Sequence, residues 1–191
     1  MPASKHGYPR PVILKNGTEL TLRLLEPSSD GQRLVEFYRR IPAENRWYLW
    51  NDVSDEDVVY DQILDYDPRL VLPVVAVDGE QNIRGKATLY RYFPGARGHI
   101  ARLRVVLDPW VSNQRLGTYM LLDLIQLAVN LGLELLVAEL IQGIEDQGIR
   151  AASKLDFFEQ ARIKDYAKDP RGNYYDLVIM TKRLNQGYDD F

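Results

Sequence analysis

Between residues 71 and 131 the hydrophobic pattern changes its period once, at Asp108-Pro109, and that switch limits the folds open to the chain. Before it, residues 71–77, 86–93 and 100–107 read as strands. Asp78-Gly79 and Pro94-Gly95 supply the turns between them, so an antiparallel meander is expected. After it, Leu121, Leu124, Ala128 and Leu131 fall on one face of a helix that Gly132 ends. Residues 133–141 then read as a strand, 145–155 as a helix, and 157–165 and 174–182 as two further strands. Upstream, residues 19–25 alternate Leu20, Leu22 and Leu24 against polar neighbours, and Pro27 closes that strand. Ser29 and Gln32 have capping-box spacing for a helix carrying Leu34, Phe37, Tyr38 and Ile41, which Pro42 stops. Ser54 and Asp57 repeat the signal for a shorter helix with Val58, Val59 and Ile63. The predicted order is β-α-α-β-β-β-α-β-α-β-β, an α+β fold built on a mixed sheet.

The 191 residues suit one domain, read over 12–184, with tails over 1–11 and 185–191. Lysine and arginine number 24 against 27 acids, a net charge of −3, which argues against a general nucleic-acid binder. Cysteine is absent and the histidines are only His6 and His99, so thiolate chemistry and a histidine-built metal site are not expected. The first eleven residues hold no apolar core of a secretory signal, which makes a cytoplasmic location the expectation. The apolar stretch 121–141 is broken by Asp123, Glu134 and Glu139, each costing about 2.5–3.5 kcal/mol near a bilayer centre. It reads as a core helix and a core strand, and no membrane partner is expected.

The unit from Val105 through Leu107, Asp108, Pro109, Ser112, Asn113, Gln114, Arg115, Leu116, Gly117 and Thr118 resembles the strand–loop–helix of the GNAT superfamily of acyl-CoA-dependent N-acyltransferases. Gly117, Ala128 and Gly132 fall in register with that pattern. Lys154-Leu155-Asp156-Phe157 is similar to the family's K-L-G-F, and residues 176–184 to its closing strand. The resemblance covers most of the chain. It implies a GNAT-like, mostly antiparallel mixed sheet flanked by helices. It also implies acetyl-CoA or another acyl-CoA as cosubstrate, held by Val105, Val106, Leu107, Ser112, Asn113, Gln114, Arg115, Leu116, Gly117, Thr118 and Glu145. The departures are specific: Ser112 and Arg115 stand where the loop usually has R/Q and glycine, and Glu145 where an asparagine is common. Ala152 replaces the tyrosine that protonates the leaving thiolate, and Arg102 the glutamate that serves as base.

The resemblance implies transfer of an acetyl or short acyl group from coenzyme A to a primary amine by direct attack. The alternative is a GNAT-fold binding or regulatory module without catalysis. An enzyme would need a substitute base. Glu139, isolated in an apolar strand, is the candidate catalytic residue, with Tyr90, Tyr92, His99 and Tyr166 behind it. Arg102 and Arg104 share one strand face and would grip a carboxylate, or simply meet solvent. Seven acids over 51–67, without Lys or Arg, would favour a cationic acceptor, or serve only as caps. Trp47, Tyr48 and Trp50 would wall a pocket or pack in a core. The acceptor is therefore a small-molecule or peptide amine of unassigned charge, and the oligomeric state is left open.

Overall fold

The computed structural model describes residues 5–184, with the backbone alone at Lys5, Gln62 and Ile63. The tail read over 185–191, residues 1–4 of the other, and the packing of Ile63 lie outside the described residues. Eight strands form one sheet in the order β1-β2-β3-β4-β5-β6-β8-β7. They are β1 (Arg10–Ile13), β2 (Glu19–Leu24), β3 (Val71–Val77), β4 (Ile83–Arg91), β5 (Ile100–Leu107), β6 (Leu135–Ile141), β7 (Phe158–Lys168) and β8 (Tyr174–Arg183). Every neighbouring pair is antiparallel except β5 and β6. The helices are α1 (Pro27–Arg40), α2 (Ala43–Arg46), α3 (Glu56–Val58), α4 (Leu116–Asn130) and α5 (Asp146–Ser153), and a π-helical turn continues α3 over Val59–Leu64.

Two cores sandwich the sheet. Strand β3 shows why: Leu72, Val74 and Ala76 join α4 on one face, and Val75 and Val77 join α1 on the other. A strand buried on both faces needs an uninterrupted apolar run, as 71–77 provides. Helix α4 lies close on β4 because Gly85 has no side chain; a Cβ there would meet Met120 Sδ at 2.7 Å. The second core stops short of the far half of its face. Beyond Ile83, strand β4 presents Lys86 and Thr88 to that side, and β5 presents Arg102 and Arg104.

Several elements differ from expectation. Residues 8–11 are structured, not tail: Tyr8 is buried, its hydroxyl donates to Asp123, and Arg10 pairs with Asp123 at 2.9 Å. Pro27 opens α1, where its missing N–H costs nothing, so Ser29 lies inside the helix and forms no capping box. The cap of α3 is Asp55, which accepts from the Asp57 amide, and not Ser54. Strand β7 runs on to Lys168 through two register shifts and forms the outer edge of the sheet, all of it exposed except Ala167. No helix among the described residues is long and apolar enough to cross a membrane.

Candidate active site

Strands β5 and β6 pair only where residues 100–103 meet residues 135–138. Beyond Leu103, β5 stays with β4 as far as Leu107, while β6 continues along β8. The parallel strands separate into a V, so the peptide groups of residues 104–107 that face away from β4 have no strand beside them. A cleft of about 470 Å³ occupies the V. Leu103, Val105 and Leu107 line it from β5, the first turn of α4 from one end, and Gly148, Ala151 and Ala152 from α5.

The loop before α4 holds Asn113 at φ 60° and Arg115 at φ 69°. A left-handed conformation costs a residue with a side chain roughly 1–2 kcal/mol. Arg115, which stands where the resemblance implies a glycine, nevertheless adopts this left-handed conformation. The amides of Leu116, Gly117 and Thr118 have no intrahelical carbonyl, and no acid stands in that first turn. All three residues line the cleft, along with Arg104, Arg115, Arg150, Lys154 and one acid, Glu145. Glu145 is neutralised by Arg104 at 2.9 Å and also accepts from the Ile141 amide. A helix N-terminus inside a basic rim fits a pyrophosphate and a further phosphate.

Of the residues expected to hold the cosubstrate, Val105, Leu107, Asn113, Arg115, Leu116, Gly117, Thr118 and Glu145 reach the cleft. Val106, Ser112 and Gln114 do not line it. Side chains alternate along a strand, so Val106 packs against the second core. Ser112 is exposed, and Gln114 accepts at its carbonyl from the Lys15 amide at 3.3 Å. Glu145 lines the cleft while held by Arg104 and the Ile141 amide. Arg150 and Lys154, at i,i+4 spacing, line the cleft as well, although neither is among the residues expected to hold the cosubstrate.

A second recess, of about 320 Å³, is lined by Trp47, Trp50, Arg102, Glu139 and Tyr166, among others, and shares Arg104 with the cleft. Glu139 lies here and not in the cleft; its Oε2 accepts from Arg102 Nη2 at 2.7 Å. The Arg102 guanidinium also lies 4.2 Å from the Trp50 ring centroid. Arg104 bridges the V, donating from Nη1 to the Glu139 carbonyl at 3.2 Å. Both arginines do share one face, but each already has a carboxylate partner. The acids of 51–67 line none of these spaces: Asp67 pairs with Arg69 and Glu56 with Arg39, and most of the others are solvated. His99 and Tyr92 also lie away from the V, the latter under Arg97 at 4.3 Å. Trp47, Tyr48 and Trp50 wall the recess, as one reading of their sequence allowed.

A mixed sheet whose two parallel strands splay beside an open helix N-terminus is the GNAT fold. Solved structures bear this likeness out. A GCN5-related N-acetyltransferase from Kribbella flavida superposes with a TM-score of 0.73 at 19% identity, covering 86% of this chain and 98% of that one. A ribosomal-protein-alanine N-acetyltransferase from Brucella melitensis gives 0.71 at 21% identity, covering 85% and 99%. A phosphinothricin acetyltransferase from Sinorhizobium meliloti, solved in complex with acetyl-CoA, gives 0.71 at 19% identity, covering 88% and 90%. No family model matches the sequence, and no curated protein is significantly similar to it.

Proposed function

We propose that the protein is an N-acyltransferase that moves an acetyl or other short acyl group from coenzyme A to a primary amine by direct attack. The observation that carries this reading is the convergence, in one cleft, of unpaired β5 peptide groups, the open amides of α4 and the basic side chains Arg115, Arg150 and Lys154. Neighbours of the same fold that are described as acetyltransferases, one of them solved with acetyl-CoA, support it.

When bound, acyl-CoA supplies an activated thioester carbonyl. The amides of residues 116–118 would hold its pyrophosphate, and Arg115, Arg150 and Lys154 would balance the phosphate charge. The amides of β5 within the V are donors for a carbonyl oxygen that gains negative charge during attack. An amine entering from the recess would be mostly protonated at neutral pH and must lose a proton first. Glu139 faces that recess and would take the proton through water. Ala152 lines the cleft with no proton to give, so protonation of the departing sulfur falls to solvent.

Calorimetric titration with acetyl-CoA, followed by a free-thiol assay over polyamines, amino acids and lysine peptides, tests the reading. Binding and amine-dependent thiol release are expected, at a rate that climbs with pH. Glu139→Gln should lower turnover at least about tenfold with acetyl-CoA affinity unchanged. Tight binding with no thiol release from any amine would favour the non-catalytic binding module instead.

A further inference from the structure

The described residues bury four charged side chains, Asp30, Lys86, Asp108 and Asp123. Three have arginine partners: Arg23 at 2.6 Å from Asp30, Arg40 at 2.6 Å from Asp108, and Arg10 at 2.9 Å from Asp123. Lys86 is the exception. Among the described residues its Nζ donates only to Thr88 Oγ1, at 3.1 Å, and the residue is 6% exposed. An ammonium carries three N–H donors, and burying it without an anion is costly.

Beside Lys86 lies a cavity of about 30 Å³ between β4, β5 and the segment 49–53, its polar lining being Tyr38, Asn51, Thr88, Tyr90 and Arg104. No acid lines it. Arg104, which lines the cavity, has a buried Nε without an acceptor among the described residues. Burial raises the hydroxyl pKa of both Tyr38 and Tyr90, so each remains a protonated donor at neutral pH. Arg102 and Arg104 are the cations that approach from β5, and their carboxylate partners Glu139 and Glu145 lie outside this cavity. Leu49, Trp50 and Arg104 line both the cavity and the recess, and Arg104 lines the cleft as well.

We infer that the cavity beside Lys86 is a carboxylate subsite, and that the acceptor is an amino acid whose amine points to the V while its acid group seats on Lys86. This rests on the acyl-transfer reading of the cleft. The cavity has room for one small anionic group, and Lys86, Arg104, Tyr38 and Tyr90 bring donors to its wall. The acceptor thus replaces the counter-ion that the fold does not supply. Charge complementarity, with Lys86 as its centre, sets the choice between an amino acid and a simple amine.

The test uses matched acceptors that differ only in the carboxylate: β-alanine against ethylamine, and methionine against 3-(methylthio)propylamine. Wild type and Lys86→Met are compared by thiol release with acetyl-CoA, and by calorimetry of each acceptor with the protein saturated in free coenzyme A, where no transfer occurs. Wild type should prefer the acid of at least one pair by about 30-fold or more in kcat/KM, as expected for a buried charge pair. Lys86→Met should bring that ratio to within a few-fold, acting mainly through KM, with acetyl-CoA affinity unchanged. Lys86→Gln serves as the second variant if methionine impairs folding. If wild type treats both members of each pair alike, or Lys86→Met keeps the preference, the subsite is overturned while acyl transfer stands. If no amine releases thiol yet the acids bind in a Lys86-dependent way, the subsite stands and the transferase reading falls. Absence of Lys86-dependent binding for every acid, or such binding by acetate alone without a preference between paired amines, also overturns it.

Discussion

Lys86→Met is expected to make the protein more stable at neutral pH and to abolish a pH dependence on the alkaline side. Burial pushes the Lys86 ammonium from its ordinary 10.5 down to about 8. The folded chain therefore holds this proton less tightly than the unfolded chain, and the gap corresponds to roughly 3 kcal/mol. The sign follows from the direction. Below about pH 8 both states carry the charge and the folded state bears the full cost. From pH 8 to 10.5 only the folded state has shed the proton, so stability rises with pH as the cost fades. Methionine carries no charge and loses only the bond to Thr88, worth about 1 kcal/mol. The net gain at pH 7 should be about 2 kcal/mol, or roughly 4–8 °C in Tm for a chain of this size. Urea melts of both proteins at intervals from pH 7 to 10.5 read the difference directly, since other titrating groups cancel. Two curves that coincide at pH 7, or run parallel from 8 to 10.5, would refute the claim that this ammonium is held without a counter-ion.

Gly117→Asp puts a carboxylate against the open amides of α4, where a Cβ already meets Leu107 Cδ1 at 3.2 Å; acetyl-CoA affinity should fall at least about 100-fold, checked by calorimetry on a variant with an intact melt. Arg115→Gly keeps the left-handed backbone path and removes one cation, so affinity for acetyl-CoA should weaken several-fold at low salt and show a shallower salt dependence. Asp30→Asn should cost about 3–5 kcal/mol in a urea melt, because Arg23 loses its buried partner. Burial pushes the Asp30 pKa up, but Arg23, the Glu26 amide and Arg33 outweigh it and hold the pKa below the ordinary value. Its stabilisation is therefore present at neutral pH and lost as pH falls through the acid range, a dependence the asparagine variant should lack.

Elements fixed by local period were legible in the sequence, and those fixed by distant contacts were not. The meander of β3, β4 and β5 and the helix α4 are stated by alternation, turn residues and the stop at Gly132. Strand β1 is only four residues long and contains Pro11; it exists because it pairs with β2, and its flank holds Asp123 of α4, 113 positions away from Arg10. The loop around Gly117 was legible only through its resemblance, and the left-handed angle at Arg115 has no signal in an arginine side chain. The burial of Lys86 has no such local signal. In sequence, Lys86, Thr88 and Tyr90 alternate with Ala87 and Leu89 and read as the wet face of a half-buried strand. Its burial comes from residues 49–53 folding over that face, and no local period encodes such a cover.

The outer strand β7 also determines where the sheet stops growing. Eleven residues with one side unpaired are a surface on which another chain could lay a strand of its own. The composition of β7 opposes this, for no more than two consecutive residues in it are uncharged. Stacking into a fibril asks for six or seven residues of low charge and a straight backbone. Here Glu159, Arg162, Lys164, Asp165 and Lys168 interrupt every such window, and the two register shifts bend the strand between them. Apolar side chains at Phe158, Ile163 and Tyr166 can therefore stay open to water without recruiting a ninth strand.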